Sequence, residues 1–226
     1  MILAIDTSSA ISVALISGVP AVGADTAGVA GDGDRTLASR SVFSPRGHAE
    51  LLAGMIEEVL AEAGVAGARV DGLVVGTGPA PFTGLRVGLV TARTLGMVWG
   101  VPVRGVCSLD AVAAQVFGER LVDAGQARVT VVADARRKEV YWATYTDGVS
   151  DGPPRVNLPV DVEPVGAVVG RGALLYPEVF ADAVGADPDP AWLARVAARR
   201  FAGGEESFPT EPLYLRRPDV HGVPGA

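Results

Sequence analysis

One pattern occurs twice in this chain and constrains its fold more than any other feature: an apolar strand, an aspartate, a short polar turn and a second apolar strand. The first copy covers 2–16, with Asp6 at the start of its turn, and the second covers 129–145, with Asp134 in the same place. Two short apolar runs joined by a polar turn predict a β-hairpin, so each copy opens with antiparallel strands. The duplication predicts an α/β fold of two modules side by side, each with a mixed sheet.

Helices and further strands surround the two hairpins. Apolar residues at helical spacing predict a helix over 44–63, with Ser44 as its N-cap and Pro45 as its first residue. Further helices are predicted over 83–99, 108–124, 174–183 and 191–201, and further strands over 37–43, 70–76, 101–106, 156–158 and 165–169. The first module then spans 1–106, with 206–217 a candidate to return to it, and the second spans 107–205. Residues 18–34 predict a mobile loop and 218–226 a flexible tail.

Charge and composition disfavour several classes of function. The net charge is −7, with 19 basic and 26 acidic residues, and neither half of the chain is basic. A protein that grips a polyphosphate alone usually shows a basic face, so tight RNA binding by this chain alone is disfavoured. No run approaches the roughly 18 apolar residues of a membrane helix. The sole cysteine, Cys107, excludes an intrachain disulfide. We expect a cytoplasmic protein with no membrane contact.

The two hairpin turns are candidate phosphate sites. Such a turn needs small residues, so that backbone N–H groups can approach the phosphate, and a carboxylate for Mg²⁺. Both turns carry the aspartate, but the first has no glycine and the second has two arginines. Aspartate in a turn also caps its own backbone, and we favour that role. The later turn 169–173, which contains two glycines, could approach an adenosine. Together with the two aspartates, its glycines form a possible vestigial nucleotide pocket made of Asp6, Asp134, Gly170 and Gly172.

Histidine is too scarce for a metal or catalytic site. His48 lies near the start of a predicted helix, but Leu52 takes the position four residues on, where a second ligand would face the same ion. The other histidine, His221, lies in the predicted tail. We therefore predict no metal ion and no catalytic Ser-His-Asp or Cys-His set.

The loop 76–86, rich in glycine and proline, leads into the helix predicted over 83–99, with Thr83 as its cap. A helix N-terminus can receive an anion, which Arg86 could assist, although two prolines remove donors from this loop. Glycine inside a helix costs about 1 kcal/mol relative to alanine, so repeated glycines indicate close packing. The partner is either the helix at 44–63 or a helix of another subunit. The small residues recur every four positions and form a ridge: Gly84, Gly88, Ala92 and Gly96.

Six segments, in order along nearly the whole chain, carry a family likeness: 2–8, 46–52, 76–86, 105–109, 134–141 and 212–216. They resemble the TsaB family, also called YeaZ, of tRNA threonylcarbamoyladenosine biosynthesis. The resemblance implies two tandem ribonuclease-H-like modules of the actin-like ATPase superfamily. The chain departs from the family's usual pattern at Ala80 and Pro81, where Gly-Ser is common, and at Arg171, where Asn is common. Both departures weaken the case for nucleotide binding.

The function that the resemblance implies is that of a non-catalytic accessory subunit. Such a subunit binds TsaD, which transfers a threonylcarbamoyl group to adenosine 37 of tRNA, with the ATPase TsaE as a further partner and a homodimer when alone. It meets tRNA only through the complex, and ATP or ADP only at a subunit interface. Changing Gly88 to leucine is expected to disrupt association while largely preserving the fold. The implied interface lies on the first two helices: His48, Leu51, Leu52, Met55, Ile56, Val59, Gly84, Arg86, Gly88, Ala92 and Gly96.

Two other functions stay open. An actin-like-fold small-molecule kinase needs a competent phosphate site, and the glycine-poor turn at Asp6 argues against one. A metallopeptidase-like protein of the M22 type needs a bound metal ion, for which the chain offers few ligands.

Overall fold

The structure is a computed structural model of the 226-residue chain and describes residues 1–19, 33–44, 47–122 and 127–216. Most of the predicted loop 18–34, Pro45, the predicted tail and His221 lie outside the described residues. The described elements, in chain order, are β1 (Ile2–Asp6), β2 (Ile11–Ser17), β3 (Arg35–Val42), α1 (His48–Glu62), β4 (Gly72–Gly76), α2 (Phe82–Trp99), β5 (Val103–Val106), α3 (Ser108–Gly118), β6 (Arg128–Asp134), β7 (Val140–Thr146), β8 (Val149–Ser150), β9 (Arg155–Asn157), β10 (Ala167–Val169) and α4 (Pro190–Ala202).

The first sheet is mixed and has the strand order β3-β2-β1-β4-β5. β1 pairs antiparallel with β2, as the opening hairpin predicts, and parallel with β4, which pairs parallel with β5. β1 is buried throughout because its alternate side chains enter two different cores. Leu3 and Ile5 face the core under α1 and α2. Ile2 and Ala4 face the core under α4.

The second sheet repeats this plan with the order β10-β6-β7-β8, and β9 also pairs with β7. β6 pairs antiparallel with β7 and parallel with β10, which is the relation that β1 has to β2 and β4. α3 covers one face, where its apolar side meets Val129, Val131 and Tyr145. The prediction of two tandem ribonuclease-H-like modules, with mixed sheets flanked by helices, is confirmed.

Helix α4 lies between α3 and the first sheet. Its N-cap is Asp189, whose carboxylate accepts a hydrogen bond from the first-turn backbone at 2.7 Å, and Pro190 at the first position suits a helix start. Leu193 enters the core that Ile2 and Ala4 share. On the other side Arg200 donates to Asp110 of α3 at 2.5 Å. α4 therefore ties the two units together, while the boundary at 106 stays a prediction.

The first two helices begin at other residues than predicted. α1 begins at His48 and not at Ser44, because Gly47 before it takes a left-handed conformation with φ 98°. Glycine adopts that conformation without the steric cost that a Cβ would bring. α2 begins at Phe82, so Thr83 lies inside its first turn and does not cap it.

The helix predicted over 174–183 is wrong. This segment holds a short 3-10 helix, Ala173–Leu175, followed by irregular backbone. Pro177 disfavours the helical conformation at the residue before it, and Tyr176 has φ −136° and ψ 61°. α3 is also shorter than predicted and ends at Gly118. None of the helices in the described ranges combines the length and apolarity needed to cross a bilayer.

Candidate functional site

The turns of the two hairpins line a cleft between the sheets. Its cavity has a volume of about 160 Å³ and is lined by the β1–β2 turn, the β6–β7 turn and the segments around Gly170 and Asp187. This cavity is smaller than the roughly 300 Å³ at which ligand pockets commonly begin. A second cavity of about 590 Å³ adjoins it and shares Ser8, Ser9 and Arg136 with it. Of the predicted pocket residues, Asp134 and Gly170 line the first cavity, whereas Asp6 and Gly172 do not.

Asp6 is buried behind the first turn and bonds to its own chain. Its Oδ1 accepts from the backbone N–H of Ser8 at 2.8 Å and from the Ser8 hydroxyl at 2.6 Å, and its Oδ2 accepts from the Ser108 hydroxyl at 2.6 Å. Burial raises the pKa of Asp6 to about 6, although the bonds from Ser108 and Ser8 act in the opposite direction. These contacts are those of a residue that holds a turn together.

The second turn has an unusual backbone. Arg136, Arg137 and Lys138 have φ values of 61°, 55° and 63°, so three successive residues with side chains are left-handed. Each such residue costs roughly 1–2 kcal/mol. Asp134 offsets part of this cost. Its Oδ1 accepts a hydrogen bond from the backbone N–H of Arg136 at 2.7 Å, and its Oδ2 lies 3.3 Å from the guanidinium of Arg136. Asp134 therefore also caps its own turn.

The two glycines of the predicted adenosine turn have a packing reason. A Cβ at Gly170 would lie within 3.0 Å of the carbonyl oxygen of Val132, and one at Gly172 within 3.0 Å of the backbone of Ala133. Both glycines thus let the turn approach β6 closely. Their presence requires no bound nucleotide.

Sequence reasoning missed the residue that closes this cleft, Asp187. Its carboxylate accepts a hydrogen bond from the Ser9 hydroxyl at 2.6 Å and from Arg171 Nε at 2.7 Å and 2.9 Å. Burial favours the neutral form of Asp187, but the bonds from Arg171 and Ser9 outweigh it and hold its pKa below the usual value. No local signal could have revealed the contact, because Ser9 and Asp187 are 178 residues apart.

The small-residue ridge of α2 packs inside this chain. A Cβ at Gly88 would lie within 3.0 Å of Thr7 Oγ1, and one at Gly96 within 3.0 Å of the side chain of Val103. Gly84 faces His48, whose Nε2 would lie 3.1 Å from an added Cβ. The contacts are thus made mostly to the β1–β2 turn and β5, and only Gly84 meets α1. The expectation that Gly88→Leu preserves the fold is wrong, because the added side chain has no space.

The predicted interface residues divide into a buried and an accessible set. Those that enter the chain's own core are Leu52, Met55, Ile56, Val59 and Ala92, and Gly88 and Gly96 are buried as well. Those that are at least partly accessible are His48, Leu51, Gly84 and Arg86.

The outer face of α2 carries exposed apolar side chains that sequence reasoning missed. Val90 is 61% exposed, Met97 79% and Val98 69%, and Leu51 of the neighbouring helix α1 is 40% exposed. The available signal was the spacing: Val90 and Met97 are two turns apart, Val98 is next to Met97, and all three lie on the side of the helix away from the buried residue Ala92.

Two side chains of kinds used in catalysis, His48 and Cys107, have shifted pKa values. Burial lowers the pKa of His48 and raises that of the Cys107 thiol, so both favour their neutral forms. In the described ranges no group of three or more His, Cys, Asp or Glu side chains could hold a metal ion.

Arg86 bonds to the C-terminal segment. Its Nε donates to the Tyr214 hydroxyl at 2.7 Å, and the rings of Phe82 and Tyr214 are 4.8 Å apart. The backbone N–H of Leu213 donates to the carbonyl of Thr77 at 2.9 Å. Residues 208–216 thus lie along the first unit, beside the loop 76–86.

The chain is similar in sequence to several known proteins. Residues 42–152 match the family described as "TsaD: tRNA N6-adenosine threonylcarbamoyltransferase". The chain is 41% identical to an uncharacterized protein of Mycobacterium tuberculosis, over 97% of this chain and 93% of that protein. It is 32% identical to the Escherichia coli tRNA threonylcarbamoyladenosine biosynthesis protein TsaB, over 50% of this chain and 47% of that protein.

The solved structure of YeaZ from Pseudomonas aeruginosa superposes on this chain with a TM-score of 0.74 at 31% identity. The match covers 95% of this chain and 99% of that structure, so the likeness extends over both sheets. The chain therefore belongs to the TsaB (YeaZ) family of tRNA threonylcarbamoyladenosine biosynthesis.

Proposed function

We propose that this chain is a non-catalytic accessory subunit, a pseudo-enzyme that binds a TsaD-type catalytic protein during transfer of the threonylcarbamoyl group to adenosine 37 of tRNA. Membership of the TsaB family supports the pathway. Several groups that chemistry could have used, Asp6, Asp134 and Cys107, are bonded to their own turns or buried.

The observation that carries this proposal is the exposed apolar face of α2. Val90, Met97 and Val98 project from α2 into solvent, and Leu51 of α1 is also exposed. A cluster of exposed apolar side chains is typical of a protein–protein contact, because burying it removes apolar area from water. The buried ridge on the other side of α2 holds this face in place against the first sheet.

The proposed interface therefore keeps His48, Leu51, Gly84 and Arg86 and adds the three exposed residues of α2. The seven buried members of the predicted interface pack inside the chain and hold the two helices that carry the exposed residues. The same face serves the homodimer when the chain is alone, so that partner and second copy compete for it.

The remaining partners follow the same reasoning. A TsaE-type ATPase joins the complex, and tRNA contacts it through the assembly, because a net charge of −7 opposes binding of a polyanion by this chain alone. Any ATP or ADP binds at a subunit interface, since Asp6 and Asp134 are bonded to their own turns and are not free to hold a metal ion for its phosphates. A role in tRNA modification supports a cytoplasmic location for the complex.

The test is to change Met97 to lysine and measure binding to the TsaD-type protein of the same genome by calorimetry. A cation near a helix C-terminus interacts well with the helix dipole, so this change should leave the fold intact. Fully burying a methionine is worth about 1.5–3 kcal/mol, which predicts binding weaker by at least about tenfold.

The matched control is Val149→Lys, since Val149 is also exposed and apolar, at 70%, but lies in β8 of the second sheet. It should bind as the unchanged protein does. Equal affinity of the Met97 and Val149 variants would refute the assignment of this face, and no association of the unchanged chain would refute the accessory role itself.

A further inference from the structure

The C-terminal segment, residues 208–216, lies along the outer side of α2 and holds both of its charged side chains. Arg86 Nε donates to the Tyr214 hydroxyl at 2.7 Å. Two turns further along α2, Arg93 Nε donates to Thr210 Oγ1 at 2.8 Å, and a terminal nitrogen of Arg93 donates to the carbonyl oxygen of Thr210 at 2.7 Å. These two arginines are the only charged residues of α2, so the helix presents no acid beside the segment.

The exposed apolar face of α2 lies on the same side of the helix as the two arginines. Positions 86, 90, 93 and 97 follow one another at intervals of four, three and four residues, which is the spacing of one helix face. Val90 and Met97 are therefore flanked by guanidinium groups and by the C-terminal segment. An apolar centre with a polar rim is the usual anatomy of a protein–protein interface.

The guanidinium of Arg86 is held in place but has donors to spare. Its carbon lies 5.9 Å from the centre of the Phe82 ring and 5.6 Å from the centre of the Tyr214 ring. The two rings and the bond from Nε restrict the orientation of its planar fork of donors. Within the described ranges, its two terminal nitrogens donate to no protein acceptor. Such a pair of donors fits a carboxylate, which accepts two parallel N–H···O bonds.

We propose that Arg86 binds a carboxylate side chain of the TsaD-type partner, and that Tyr214 of the C-terminal segment positions it for this contact. The inference rests on the proposed function and adds the chemistry that the partner presents beside Val90 and Met97. Arginine is enriched among the residues that dominate interfaces, and a guanidinium that is already oriented loses little freedom on binding. The exposed apolar neighbours and a net charge of −7 favour a protein carboxylate over the phosphates of RNA.

The Tyr214 hydroxyl can be removed without releasing the C-terminal segment, because the segment has other attachments. The backbone N–H of Leu213 donates to the carbonyl oxygen of Thr77 at 2.9 Å. Phe208 is buried, and its carbonyl oxygen accepts from the backbone N–H of Gly105 at 3.1 Å. Tyr214→Phe therefore keeps the aromatic ring and removes only the hydroxyl that holds the arginine.

The experiment measures affinity for the TsaD-type protein by calorimetry at low ionic strength, with Arg86→Gln, Tyr214→Phe and the double variant. Arg86→Gln loses the charged fork and should bind at least about tenfold more weakly than the unchanged chain. Tyr214→Phe should bind about two- to tenfold more weakly, because the fork is no longer fixed. The double variant should bind no more weakly than Arg86→Gln, since the hydroxyl acts only through the arginine. High salt should narrow the gap between the unchanged chain and Arg86→Gln.

Arg155→Gln is the matched control. Arg155 is also an exposed arginine beside an aromatic ring, 5.2 Å from the centre of the Trp142 ring, but it lies in β9 of the second sheet. The control should bind as the unchanged chain does. The proposal is overturned if Arg86→Gln binds as tightly as Arg155→Gln, or if removing the Tyr214 hydroxyl weakens binding equally with and without Arg86. It is also overturned if Arg86→Gln weakens only self-association or only tRNA binding.

The same measurements separate this inference from the proposed function. Weak binding by Met97→Lys together with full affinity of Arg86→Gln would refute the role of Arg86 and leave the accessory role standing. No association of the unchanged chain would refute both. Should Arg86→Gln fail to unfold cooperatively in urea, Arg86→Lys takes its place, because lysine keeps the charge but lacks the planar fork. It should then bind more weakly than Arg155→Lys, and equal affinity of these two variants would overturn the proposal.

Discussion

Substitution of Gly88 tests whether α2 packs against Thr7 of the β1–β2 turn. Gly88→Ala adds one methyl group, which would lie within 3.0 Å of Thr7 Oγ1 and 3.2 Å from Thr7 Cγ2. The backbone N–H of Gly88 also donates to Thr7 Oγ1 at 3.2 Å, and Thr7 is buried, so neither partner can move into solvent. Overpacking costs about 1–3 kcal/mol. A buried hydroxyl that loses its partner costs about 1–3 kcal/mol.

Alanine gains about 1 kcal/mol over glycine in a helix, so the net loss in free energy of unfolding should be about 1–5 kcal/mol. Urea unfolding followed by circular dichroism measures it. Gly54→Ala is the matched control, because Gly54 is an exposed position inside α1 with no atom within 4 Å of an added Cβ. That change should stabilise the protein by up to about 1 kcal/mol. Stabilisation by both changes would refute the packing of α2 on Thr7.

Two further predictions concern buried carboxylates. Asp6 binds protons more tightly folded than unfolded, because its pKa rises from 3.8 to about 6, so its contribution to stability falls as the pH rises through that window. The stability of the unchanged chain relative to Asp6→Asn should therefore drop by about 3 kcal/mol between about pH 4 and pH 7, and a flat difference would contradict the burial of Asp6. Tyr145→Phe removes the hydroxyl that donates to Asp110 at 2.7 Å and leaves a buried carboxylate oxygen unpaired. It should lower the free energy of unfolding by about 1.5–3 kcal/mol in urea, and an unchanged value would show that water reaches Asp110.

The fold was largely predictable because its signals are local. The strand pairs at Asp6 and Asp134 are each contained in fewer than twenty residues, and their repetition in the sequence corresponds to the repeated sheet plan. The failure over 174–183 came from apolar residues at helical spacing that Pro177 interrupts. A backbone restriction at one residue outweighed the periodicity.

The candidate sites were less predictable because they depend on distant contacts. The spacing of Gly84, Gly88, Ala92 and Gly96 correctly indicates close packing, yet spacing alone cannot say whether the neighbour is Thr7, Val103 or another subunit. Asp187 carries no motif, and its role follows from the meeting of Ser9 with Arg171 across two units. The exposed apolar face of α2 was not predicted, because its exposure depends on which side of the helix the first sheet covers.

The packing of α4 against the first sheet has a consequence for the chain's synthesis. Leu193 and Ala197 complete the core that Ile2, Ala4 and Val74 begin, so the first strands made wait for one of the last helices. At roughly 5–20 residues per second, that wait lasts about 10–40 s. During it, the face of the first sheet that α4 covers has no helix against it. The core of the first sheet is therefore complete only after residues of the C-terminal helix have been made.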